Sequence, residues 1–98
     1  LQWLTGSASA EETRERLREF SLESVIGKVG CPVLVIHGEG DHLPPASHAR
    51  RTFDGLTVED KELILYGKDE PGSVHCQYNS FPTTIPYFCD WLLERVNA

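Results

Sequence analysis

Two side chains have the types and the placement for proton-transfer chemistry. Asp41 closes a Gly38-Glu39-Gly40-Asp41 turn, and His75 lies in a long loop further along the chain. A carboxylate set against imidazole Nδ1–H fixes the ring tautomer. It leaves Nε2 free to take a proton and stabilises the imidazolium that results. Such a pair is a base and its orienter, and its partner would be a hydroxyl or thiol nucleophile. No G-x-S-x-G segment occurs in the chain, so the pair has no obvious nucleophile here. Glu39 is the local rival to Asp41 as the acid. His37 ends an apolar run and reads as a satisfied near-core histidine, whereas His42 and His48 flank a surface helix and read as solvated. Cys76 adjoins His75, but sequence neighbours usually point apart, which argues against it as the nucleophile. No C-x-x-C or H-x-x-x-H spacing exists, which argues against a metal site.

The elements that would position Asp41 and His75 follow from the pattern of apolar residues. Pro32-Val33-Leu34-Val35-Ile36-His37 is a continuous aliphatic and β-branched run, the signature of a parallel strand buried on both faces. The turn bearing Asp41 ends it. Pro44 and Pro45 introduce a helix of about ten residues that ends near Asp54-Gly55. A second strand spans 61–66 and Gly67 stops it. A loop containing His75 runs to about Ser80. Ile85, Phe88, Cys89, Leu92, Leu93 and Val96 then form one broad stripe of a final helix, with Phe88 and Trp91 as core. Pro82 and Pro86 leave its start open, because Pro86 suits only a first turn or a kink. Strand–helix–strand implies a right-handed parallel crossover. Both strand ends would then face one crevice, the usual place for reactive groups in such sheets.

Upstream, residues 1–8 are poorly patterned. Ser9-Ala10-Glu11-Glu12 forms a capping box for a charged surface helix to about Phe20. Ser21 is a cap for a second short helix through about Gly27, with Leu22, Val25 and Ile26 facing inward. The predicted fold class is α/β, two parallel strands with flanking helices. Two strands make no stable open sheet alone, so the fold is expected to be incomplete on its own.

The segment Cys31-Pro32-Val33-Leu34-Val35-Ile36-His37-Gly38-Glu39-Gly40-Asp41 resembles the strand-and-acid segment of the α/β-hydrolases. Ser73-Val74-His75, followed by a helix carrying Asp90-Trp91-Leu92-Leu93, resembles their histidine loop and final helix. Their chain order is Ser, then Asp or Glu, then His, and the last two appear here in that order. With the "SLESV" and "HCQYN" stretches, the chain is most similar to the FrsA-like branch, over roughly residues 10–96. That branch includes pseudooxynicotine hydrolases and fungal hydrolases that shorten polyketide precursors. The resemblance implies that residues 1–30 end a lid or connecting region and that 31–98 are the C-terminal strand–helix–strand–helix of the hydrolase core. It implies a serine-dependent hydrolase of a carbonyl compound, cleaving an ester or a carbon–carbon bond next to a ketone without a cofactor. Asp41 and His75 would be its catalytic acid and histidine, and Cys76 a packing residue. The loop 68–73 departs from the pattern by its length.

Composition narrows the partners. A net charge of −6 with no basic cluster disfavours nucleic acid and anionic membranes. The apolar run 33–36 is far too short to span a bilayer. Three cysteines without paired spacing suggest free thiols in a reducing, cytoplasmic setting. The expected partners are a small carbonyl substrate and an upstream portion of the same protein carrying the nucleophile, or else a second copy of the chain. The alternative function is a non-catalytic fragment that serves as an interaction module.

Overall fold

The computed structural model describes residues 1–98. The aliphatic run becomes strand β1 (Val33–Gly38), and the Lys61 segment becomes β2 (Lys61–Tyr66). They pair in parallel, in register from Val33 opposite Lys61 to Gly38 opposite Tyr66. The crossover between them is helix α3 (Ala46–Gly55), which starts after Pro45. Its first turn tolerates the missing proline donor because those N–H groups have no helical acceptor. Lys61 caps its other end: the ammonium donates to the carbonyls of Phe53 at 3.0 Å and Leu56 at 2.9 Å. The same ammonium lies 4.4 Å from the centre of the Phe53 ring, a cation–π contact. The first residue of β2 thus holds the C-terminus of the helix that precedes it. Ala49 and Leu56 are the buried apolar residues at this seam.

The expectation of a strand buried on both faces fails. Residues 33–36 of β1 and all of β2 are only half-buried. A two-stranded sheet with one short crossover helix offers too little surface to cover two faces. The final helix departs from expectation for the same reason. It is α4 (Phe81–Val96), and its stripe of Ile85, Phe88, Cys89, Leu92, Leu93 and Val96 is exposed, Val96 by 70%. Phe88 is therefore not core, and Trp91 is half-buried. The helix is held to the sheet by polar side chains instead. Arg95 grips Asp60 with two parallel bonds of 2.7 and 2.8 Å and stacks 3.5 Å above the Trp91 ring. Tyr87 donates to Glu62. Pro86 sits in the second turn rather than the first, inside the helix.

The N-terminal segment is more structured at its start and less so later than the residue pattern predicts. Residues 2–5 form a one-turn helix, α1 (Gln2–Thr5), tied to α2 (Ala10–Leu17) by Arg16, which donates to the Thr5 carbonyl at 2.7 Å. Ser9 caps α2 by accepting from Glu12 N–H at 3.1 Å. The Glu12 carboxylate answers one residue upstream, on Ala8 N–H. The second short helix does not form. Ser21 Oγ accepts from Glu23 N–H in a local turn, which competes with a helical start. Only a single 3₁₀ turn, Ile26–Lys28, follows, and Leu22 and Val25 stay exposed. Ile26 packs against Gly55, where a methyl group would lie 2.7 Å from its side chain. No helix is long and apolar enough to cross a membrane.

Candidate functional site

In a parallel pair both strands end on the same side, so the loops after β1 and β2 leave together. Here they are stitched. Glu39 N–H donates to the Tyr66 carbonyl at 2.8 Å, extending the ladder one step past the strands. Gly40 N–H then donates to the Ser73 carbonyl at 2.9 Å, across the gap between the loops. The second bond needs glycine at 38. A Cβ there would lie 2.1 Å from the Ser73 carbonyl oxygen, a backbone atom that cannot move aside. Gly72 adopts φ +97°, with its α-carbon against the Tyr66 ring, so the returning loop can approach this closely. The long stretch 68–73 folds on itself through Glu70 N–H to Gly67 and Ser73 N–H to Glu70. Its length is thereby taken up without displacing His75.

The stitch brings together the two residues singled out from the sequence. His75 Nδ1 lies 2.7 Å from Asp41 Oδ2. An ionised carboxylate can only accept, so Nδ1 carries a proton, and in the neutral ring Nε2 is the bare nitrogen. The other carboxylate oxygen, Oδ1, accepts from Leu43 N–H at 2.8 Å. Asp41 is buried, at 8% exposure, while the His75 side chain is 60% exposed. The Leu43 amide holds the Asp41 carboxyl below the usual carboxylate range. Burial opposes that shift, and the bond to His75 reinforces it. The acid is therefore ionised and oriented beneath a histidine whose Nε2 edge meets solvent and makes no hydrogen bond within the chain.

The rival acid points elsewhere: Glu39 pairs with Arg50 at 3.3 Å. His42 and His48 are exposed. His37 is buried at the end of β1, where its Nε2 meets the Pro44 carbonyl at 3.0 Å. Cys76 is exposed, with a left-handed backbone at φ 54°, not packed as expected. The thiols of Cys31 and Cys89 are also free and exposed. No three His, Cys, Asp or Glu side chains converge to hold a metal. The larger concavities lie away from the Asp41–His75 pair; one of about 560 Å³ is lined by Leu1, Leu4, Leu17 and Phe20.

Three participants escaped the sequence reading: the Leu43 amide, the Ser73 carbonyl and the His37–Pro44 contact. All three involve a backbone group, which no residue type advertises. The spacing of Gly38 and Gly40 before Asp41 was the one available signal, since glycine allows a second chain close. Comparison with family models, characterised proteins and solved structures finds no match for this chain.

Proposed function

We propose that this chain supplies the acid and base of a serine-dependent hydrolase that cleaves a carbonyl compound, an ester or a carbon–carbon bond next to a ketone. In this reading it is the C-terminal part of an α/β-hydrolase sheet, and the nucleophile comes from outside these 98 residues. The observation that carries the proposal is the Asp41–His75 pair: a buried carboxylate held on one oxygen by Leu43 N–H and on the other by imidazole Nδ1–H, with Nε2 open. A nucleophile hydroxyl delivered to Nε2 would lose its proton there as it attacks the carbonyl carbon. The resulting imidazolium would lie against Asp41, which stabilises it. It would then return the proton to the leaving alkoxide or enolate. Water would repeat the cycle on the acyl intermediate. Charge on the carbonyl oxygen needs hydrogen-bond donors, and these belong with the nucleophile segment.

The test is made on the complete coding sequence and its product. It should contain a G-x-S-x-G segment upstream and should turn over an aryl ester or a ketone with an adjacent cleavable bond. Asp41→Asn should cut turnover by up to about 10⁴-fold, the scale set by a serine protease triad that loses its carboxylate. His75→Ala should abolish turnover, whereas His42→Ala, His48→Ala and Glu39→Gln should leave it near the wild-type rate. Near-normal turnover by Asp41→Asn refutes the assignment. A coding sequence without the nucleophile segment, together with no turnover, favours the interaction module.

A further inference from the structure

We propose that His37 is a positioning residue, which holds the Asp41 turn in the shape that the Asp41–His75 contact requires. The inference rests on the reading of Asp41 as the acid of the pair. Its test is independent of hydrolysis.

The argument starts from the course of the chain after β1. Asp41 N–H closes a tight turn on the Gly38 carbonyl at 3.0 Å. The chain then runs through His42, Leu43, Pro44 and Pro45, all exposed, before α3 begins. This stretch has to follow one path, because Leu43 N–H must meet Asp41 Oδ1 at 2.8 Å. With that bond made, the other oxygen faces His75 Nδ1. Little else fixes the path. Pro44 and Pro45 have no N–H to give. His42 N–H makes no hydrogen bond, and the Pro45 carbonyl serves the first turn of α3. One hydrogen bond joins residues 42–45 to the sheet: His37 Nε2 to the Pro44 carbonyl at 3.0 Å.

A carbonyl only accepts, so His37 Nε2 must carry the proton. His37 is 9% exposed and sits one residue before the end of β1, where its direction is set by the strand. It spans the base of the turn from 37 to 44, with Asp41 between. The Gly38–Asp41 bond fixes the near end of the turn and His37 fixes the far end. Removing the His37 bond frees residues 42–44, weakens the Leu43 contact and lets the carboxylate rotate away from His75.

The experiment uses the hydrogen-bonded Nδ1 proton of His75, which should give a far-downfield resonance in proton NMR of the full chain. Absence from His75→Ala assigns the resonance. His37→Gln places an amide nitrogen near the position of imidazole Nε2 and keeps the donor. His37→Asn is as polar but too short to reach Pro44. The resonance should survive in His37→Gln with wild-type solvent exchange. In His37→Asn it should exchange roughly two- to tenfold faster, the range that one net hydrogen bond corresponds to, or be lost. The β1–β2 amide pattern, read in the same spectra, should stay intact in both. Equal behaviour of the two variants overturns the inference, as does a wild-type chain without the resonance. Failure of the hydrolase reading would show separately, as a complete gene product that turns nothing over while the His37 dependence persists.

Discussion

At the scale of single residues, Asp41 carries the most consequence, and its ionisation can be followed directly. Its carboxyl is held below the ordinary carboxylate value, first by Leu43 N–H. A folded-state value below the unfolded one means that the contribution to stability is fully present above about pH 3.9, the unfolded value. It is lost as the pH falls through the lower folded value. On acidification, the Leu43 amide resonance should therefore titrate with a midpoint below that of an ordinary aspartate. Asp41→Asn should flatten this step in the acid limb of an unfolding curve and leave the limb near neutrality unchanged. A Leu43 midpoint at or above the ordinary value would mean that the amide does not bind the carboxylate. Gly38 is a second decisive residue. Alanine there puts a methyl group against the Ser73 carbonyl, and overpacking of this kind costs about 1–3 kcal/mol. Urea denaturation should register that loss. Gly30→Ala is the control, because nothing lies within 4 Å of a methyl group at that position, and it should be neutral or slightly stabilising.

At the scale of elements, β1, α3 and β2 were legible in the sequence because each has an unambiguous local signal. The signals are an aliphatic run stopped by a glycine turn, a proline pair before ten residues, and a second apolar run stopped by Gly67. Parallel pairing followed from the crossover, and with it the shared end on which Asp41 and His75 meet. The Ser21 segment misled because its apolar residues have a helical rhythm while the serine hydroxyl satisfies a turn. The α4 stripe gave the right helix and the wrong environment, since periodicity reports a face that needs covering and not whether cover is present. What keeps α4 in place is the Arg95–Asp60 fork, together with the bond from Tyr87 to Glu62. Arg95→Ala should therefore loosen α4 selectively. Amide exchange should quicken along 81–96 while β1 and β2 keep their protection, and Trp91 emission should move to the red. Trp3 is already exposed and should contribute no change. Equal protection of α4 in the variant would show that the fork does not hold the helix.

At the scale of the whole molecule, the dimensions are those of a loosely covered fold. The radius of gyration is 16.2 Å, against about 13 Å for a compact domain of this length. The accessible surface is 7217 Å², where about 5,600 Å² is usual for this mass. The difference, roughly 1,600 Å², exceeds the ~800 Å² that one partner buries in a standard protein interface. Both sheet edges are unpaired, and the stripe on α4 is apolar. The 98-residue chain in isolation should therefore associate, with a solution mass above its 11.0 kDa. Static light scattering at rising concentration measures this, and a monomer throughout would refute the expectation. The bonded pair itself asks nothing of the uncovered surface. Strand, acid turn, crossover helix, second strand and histidine loop follow one another without interruption from Val33 to Gln77, and the Gly40–Ser73 bond closes the unit on itself. In the proposed hydrolase reading, this acid–base half-site is one contiguous stretch that can be copied, fused or exchanged between genes as a single cassette.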